Sequence, residues 1–320
     1  MKILTIQNRM GIGDMIIFLP YIEAISKKFN SKIYLLVKES SKASEYLKDN
    51  KFIEKIIILD RENKTKKGKH DGIIGSIRLI KYLKKFCFDK VFIFNSSLRY
   101  NLIAKFSSIK DIYQYPLFKK KNQQIVEVAK NFLIKEIGIE VESDPKIFLD
   151  KNIIENCRNK NFSNEYKNIL LGIGGSGPTK RVPAKIFLNF MELCCKNFKC
   201  KFYLATGSSV EEEKILKEIM NTNFKSLCES LSHLKINETL PIIKNCDIAI
   251  CNDSSFSHLS AALGLSTIVL MVDTPLIYGS YSPRMHPIIP ENKNDVTHNT
   301  LGKEEINPSE IFYKFKSLIS

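Results

Sequence analysis

Ile248-Ala249-Ile250-Cys251-Asn252-Asp253-Ser254-Ser255-Phe256-Ser257-His258-Leu259-Ser260-Ala261-Ala262-Leu263 decides the architecture. The apolar run Ile248 to Cys251 is short, bounded by polar residues and rich in β-branched side chains. It reads as a strand covered on both faces. A polar turn follows, then a helix of small residues from Phe256 to Leu263. A buried strand that feeds a helix through a short turn is the unit of a parallel α/β sheet.

The same unit recurs on both sides of this stretch. In the second half, strands are expected at Ile169 to Ile173, Lys201 to Ala205 and Thr267 to Met271. Helices are expected at Ala184 to Lys196, Val210 to Met220 and Asn237 to Lys244, with a final one at Pro308 to Leu318. The first half repeats the rhythm. Its strands are Ile3 to Ile6, Ile33 to Val37, Ile56 to Leu59 and Val91 to Phe94, and its helices are Met15 to Phe29, Ser41 to Lys48, Ile73 to Phe86 and Asn101 to Ser107. Right-handed crossovers turn such a pattern into a doubly wound sheet. The pattern pauses near Ser143 to Asp150, at Asp144-Pro145, after a helix ending at Gly138. This divides the chain into domains 1–145 and 146–320, both Rossmann-like.

The totals narrow the function. The 320 residues are 44% hydrophobic and 26% charged, a globular balance. No apolar run approaches the roughly 18 residues of a membrane helix; Met15 to Ile22 is short and contains Pro20. Ile3 to Ile6 is too brief for a signal-peptide core, so a cytoplasmic protein is expected. Eight cysteines lie scattered without C-x-x-C or zinc-ligand spacing, so neither a metal nor a cofactor is expected. The net charge of +15 raises the question of nucleic acid, but no nucleic-acid module is present and none is expected as a partner. The densest basic stretches, Lys64 to Lys69 and Lys119 to Lys121, read as solvated loops or as surface for an anionic acceptor or the anionic face of a membrane.

Ligands of open α/β sheets sit at the carboxyl ends of the strands, which singles out four loops. In Asn8-Arg9-Met10-Gly11-Ile12-Gly13-Asp14 the third glycine of a dinucleotide fingerprint is Ile16, so that motif fails. Asp14 reads as a helix cap, as a general base for an acceptor hydroxyl, or as both. In Gly174-Gly175-Ser176-Gly177-Pro178-Thr179-Lys180-Arg181-Val182-Pro183 small residues permit close approach and Lys180 counters phosphate charge; a flexible solvated turn is the plainer reading. Glu211, Glu212 and Glu213 complement a helix dipole, and one of them can accept both hydroxyls of a ribose. In the loop quoted first, Asp253, Ser254 and Ser255 crowd a helix N-terminus that favours a diphosphate. Asp253 itself repels phosphate and better accepts sugar hydroxyls, while His258 is either a phosphate donor or a satisfied core imidazole.

Taken together, these marks resemble glycosyltransferase family 9, the ADP-heptose:lipopolysaccharide heptosyltransferases. Gly11, Gly13, Asp14 and Pro20 match its G-x-G-D-x-x-x-x-x-P pattern, and Lys180-Arg181-Val182-Pro183 stands where it has K-R-W-P. Asp253, Ser254, His258, Leu259, Ala261, Ala262 and Gly264 match its D-[ST]-G-x-x-H-[LI]-x-A-A element and the glycine that follows, and Thr274, Pro275, Tyr278 and Gly279 its T-x-x-x-Y-G-type element. The resemblance implies a GT-B fold, α/β with two doubly wound domains facing across a cleft, the first for acceptor and the second for donor.

It further implies Asp14 as the catalytic base. Gly175, Ser176, Gly177, Lys180, Glu211, Asp253, Ser254, Ser255 and His258 become the donor-binding residues. The expected reaction is inverting transfer of a sugar, heptose by analogy, from an ADP-sugar to a lipopolysaccharide-core or related acceptor, an anionic glycan or glycolipid, with peripheral contact at the inner membrane surface. Two positions depart from the family: Ser255 replaces a glycine and Val182 a tryptophan. A catalytically silent nucleotide-sugar-binding protein and, more remotely, a nicotinamide-dependent dehydrogenase are the alternatives.

Overall fold

A computed structural model describes residues 1–61, 67–117 and 125–319, which fall into two compact units, Met1–Phe148 and Leu149–Ser320. Most of the two basic stretches, residues 64–66 and 119–121, lies outside the described residues.

The first unit runs β1 (Ile3–Gln7), α1 (Ile12–Ile17), α2 (Leu19–Phe29), β2 (Ile33–Lys38), α3 (Ala43–Tyr46), β3 (Ile53–Leu59), α4 (Gly72–Lys84), β4 (Lys90–Ile93), α5 (Leu98–Phe106), β5 (Asp111–Gln114) and α6 (Ile125–Ile137). Its strands are all parallel in the order β3-β2-β1-β4-β5. Every residue of the central β1 is buried, as a strand covered on both faces requires. On one face Leu4 and Ile6 pack with Leu79 and Leu83 of α4 and Ile103 and Ala104 of α5. Each such side chain withdrawn from water contributes about 1.5–3 kcal/mol. The strand order reverses between β1 and β4, which sets the Asn8 to Asp14 loop at the switch point.

One expected helix is two. The run Met15 to Phe29 breaks at Phe18, with Pro20 in the first turn of α2. Proline has no N–H to continue the α1 ladder and its ring would strike the carbonyl four residues back, whereas a first helical turn accepts it freely.

The second unit runs α7 (Lys151–Asn161), β6 (Lys167–Gly172), α8 (Ala184–Asn197), β7 (Cys200–Ala205), α9 (Val210–Met220), β8 (Cys228–Ser230), α10 (Ile236–Asn245), β9 (Ile248–Asn252), α11 (Ser255–Ala262), β10 (Thr267–Leu270), β11 (Met285–Ile288) and α12 (Pro308–Ile319). Its six parallel strands lie in the order β8-β7-β6-β9-β10-β11. This is the third-second-first-fourth-fifth-sixth sequence of a dinucleotide-type fold, with its reversal between β6 and β9. Phe187, Phe190 and Met191 of α8 and Phe315 of α12 fill one face against Ile169, Leu171 and Ile250. Among the described residues no helix is long and apolar enough to cross a membrane.

Candidate active site

Gly172 ends β6, and the chain then passes through residues 173–177 and a short 3-10 turn, Pro178–Lys180, before Pro183 caps α8. The route is fixed from below by Asn252, the last residue of β9, which is wholly buried. Its amide nitrogen donates to the Ile173 carbonyl at 2.9 Å and the Gly174 carbonyl at 3.3 Å, and its oxygen accepts from the Val182 amide at 3.4 Å. One side chain thus joins both strands of the switch point to both ends of the glycine loop.

The second anchor is Glu212. It sits at the third position of α9 in a capping box with Ser209, whose hydroxyl donates to it at 2.8 Å. The carboxylate also accepts the amides of Gly175 at 2.8 Å and Gly207 at 3.2 Å. Burial pushes its pKa up, but the Ser209 hydroxyl and the three amides of Gly175, Ser209 and Gly207 outweigh burial and hold it below the usual range. The loop has to be glycine here: a Cβ on Gly174 would stand 2.5 Å from Glu212 Oε1, and one on Gly207 2.6 Å from Oε2. The Gly175 amide is thus committed to Glu212.

Lys180 and Asp253 meet across the switch point at 2.7 Å, Nζ to Oδ2. Asp253 is buried, which raises its pKa, but the Lys180 ammonium and then the charge of His258 overcome that and hold the carboxyl below its ordinary value. His258, one turn into α11 and buried, shares a 2.8 Å hydrogen bond from Nδ1 with the Tyr281 hydroxyl, and the two rings stack at 5.5 Å. It is therefore a partnered imidazole within reach of the Asp253 charge, as the core reading expected.

Ser254 caps α11 with extended backbone, its side chain makes no capping bond, and its buried hydroxyl has no partner among the described residues. Ser255 opens the helix and is absent from the positive-φ residues, so its side chain imposes no backbone change where the family has glycine. Val182, the other departure, is fully buried in the core under the loop.

The remaining expected residues take distinct places. Ser176 is exposed and Gly177 half-buried. Arg181 donates from Nε to the Gly175 carbonyl at 2.8 Å and lies 3.8 Å from Glu211, whose carboxylate stands largely in solvent. Glu211 and Glu212 thus differ in place, one standing in solvent and one holding the loop.

In the first unit Asp14 is the third residue of α1, not its cap; Gly11 occupies the cap. Asp14 Oδ2 reaches back to the Gly11 amide at 3.3 Å, and Oδ1 lies 3.3 Å from Arg9. Gln7 braces the turn, donating to the Asp14 carbonyl at 3.3 Å and accepting the Arg9 amide at 2.8 Å. Across the β1–β4 switch point, Asn95 donates to Asn8 at 2.9 Å. The carboxylate is anchored in the first turn of α1 and partly open to solvent.

Sequence reasoning gave no role to Asn252 or Tyr281, and it read Glu212 only as one of three acidic residues that suit a helix start or a ribose. Ser209 three residues before Glu212 is a capping-box spacing that would have singled out Glu212; nothing local marks the other two.

The sequence profile described as glycosyltransferase family 9 (heptosyltransferase) matches residues 80–306, a span that begins after the Asp14 loop. The chain is 22% identical over 322 residues to lipopolysaccharide heptosyltransferase 1 of Campylobacter coli, covering 92% of this chain and 91% of that protein. Its fold is similar to that of E. coli ADP-heptose LPS heptosyltransferase II, with a TM-score of 0.75, 17% identity and coverage of 100% and 98% of the two chains. It is also similar to E. coli heptosyltransferase WaaC solved with ADP, with a TM-score of 0.70, 14% identity and 99% of each chain covered.

Proposed function

The chain belongs to glycosyltransferase family 9, and on that premise we propose that it transfers a heptose from an ADP-sugar to a lipopolysaccharide-core or related acceptor with inversion. Membership makes it a glycosyltransferase of GT-B type and removes the dehydrogenase alternative. The observation that carries the donor reading is the Lys180–Asp253 pair, 2.7 Å apart at the β6–β9 switch point. A diphosphate is met by Lys180, the backbone after Gly175 and the first turn of α11. Asp253 accepts sugar hydroxyls and Glu211 those of the ribose, and His258 adds a donor beside the phosphates.

The chemistry divides between the units. Asp14 removes the proton from the acceptor hydroxyl as its oxygen attacks the anomeric carbon. The carbon–oxygen bond to the diphosphate breaks as the new one forms, and the electron pair leaves with ADP. Lys180 and the loop amides hold that developing charge in a fixed electrostatic frame, so the proposed step does not call on a metal. ADP-linked relatives support the nucleotide: the WaaC structure similar in fold to this chain was solved with ADP.

The test is a panel of ADP-, UDP- and GDP-sugars scored by thermal shift, followed by mass spectrometry of product with a deacylated lipopolysaccharide-core acceptor. ADP-heptose should raise the melting temperature and yield a product heavier by one heptose. Stabilisation by UDP- or GDP-sugars alone would overturn the donor assignment, and donor binding without transfer or hydrolysis would return the silent-binder reading.

A further inference from the structure

On the first unit, α4 and α5 lie on the same face of the sheet: Leu79 and Leu83 of one and Tyr100, Ile103 and Ala104 of the other share one buried cluster. Their outward sides carry apolar side chains among the cations. On α4, Ile73 is 82% exposed, Ile74 67% and Ile77 47%; on α5, Leu102 is 41% and Phe106 63%. Isoleucines on a solvent-facing helical side cost solubility without aiding the core, and three of them within the first two turns of α4 mark a surface that meets something apolar.

The charge beside them has one sign. Neither helix contains an acidic residue, while Arg78, Lys81 and Lys84 follow the isoleucines along α4 and Lys105 precedes Phe106 on α5. Asp71, which caps α4, is engaged by Arg61 at 3.1 Å. Apolar side chains flanked by cations that form no ion pair among the described residues, on helices lying flat against their own core, are what an anionic bilayer surface selects. A protein partner would need acidic groups that a second copy of this face cannot offer, since the cations would oppose one another.

The position agrees with that use. The first turns of α4 and α5 stand where β3 and β4 end, the edge that carries the Asn8 to Asp14 loop. Arg99 at the start of α5 donates to the His70 carbonyl just before α4, and the Asn8 amide lies 3.3 Å from the Tyr100 hydroxyl.

From these features we propose that the outer face of α4 and α5 docks on an anionic lipid bilayer, with Ile73, Ile74, Ile77 and Phe106 entering the acyl boundary and Arg78 and Lys81 at the headgroups. The docking rests on exposure and charge in this unit and holds whichever sugar is transferred, so its failure leaves the donor reading untouched.

Co-sedimentation with vesicles tests it. The full chain should pellet with phosphatidylethanolamine–phosphatidylglycerol vesicles, stay in solution with phosphatidylcholine, and release as salt rises. Replacing Ile73, Ile74 and Ile77 by Gln should lower vesicle affinity by about tenfold or more, with the melting temperature kept because these side chains leave the core intact. Arg78→Gln with Lys81→Gln provides a second, charge-only route and should lose about fivefold per charge. Wild-type protein that ignores anionic vesicles, or both variants binding as it does, would overturn the proposal. So would light scattering that shows a wild-type dimer taken apart by the Ile replacements, since that assigns the face to a second copy.

Discussion

The Gly175 amide donates to Glu212 Oε1 at 2.8 Å, so the loop after β6 is held by a carboxylate from the helix after β7. The neighbouring glycine is there because of that contact. Gly174→Ala should lower stability by about 1–3 kcal/mol, since its Cβ would stand 2.5 Å from the same oxygen. Gly175→Ala, whose Cβ would meet nothing nearer than Arg181 Cγ at 3.6 Å, should fold normally. Equal denaturation midpoints for the two variants would contradict the anchoring role.

Acid should act on the same anchor. Glu212 and Asp253 both have carboxyl groups held below their ordinary range in the folded chain. Groups of that kind contribute stability that is complete above the unfolded range and is lost as pH falls through the depressed folded values. Unfolding free energy measured by denaturant should therefore be level from these two groups above about pH 5 and decline below it. Glu212→Gln should make that decline shallower, and an unchanged acid slope would count against the assignment.

Under the proposed function Lys180 serves structure and chemistry at once, and a double substitution separates them. Lys180→Met leaves Asp253 buried without its cation and should cost about 1–3 kcal/mol, tempered by the partial exposure of Lys180. Adding Asp253→Asn removes the orphaned charge and should restore most of that stability. Transfer should stay down by about a hundredfold or more in both. A double variant with wild-type turnover would remove the pair from the donor site.

Asp14→Asn should keep the fold, because an amide oxygen can still accept from Gly11. Donor binding should hold while transfer falls by about 10²–10⁴. Steady-state rates at saturating donor give the answer, and near wild-type turnover would exclude Asp14 as base.

The interior of both sheets was legible because a strand buried on two faces has to be apolar throughout: Ile3 to Ile6 and Ile248 to Cys251 could hardly read otherwise. Edge strands carry no such requirement. β5 is only part-buried, β8 spans three residues, and β11 contains Pro287, which an edge tolerates because one side of the strand needs no amide. Helix α7 has no buried residue and so shows no apolar stripe to read. At the site, the loops were visible from glycine and charge, while the different places of Glu211 and Glu212 depended on which side chain turned inward. The partnership of His258 with Tyr281 joins residues from separate loops, and only tertiary structure brings them together.

An idle anion site usually collects whatever anion is most abundant. Here the cation at 180 already has its counter-charge at 253, so free phosphate or sulfate would have to break that match and offers nothing in exchange. A sugar nucleotide brings oxygen charge for the lysine and hydroxyl donors for the aspartate together. On the proposed donor reading, the resting pair would work as a coincidence filter, indifferent to half a ligand and responsive to the whole one.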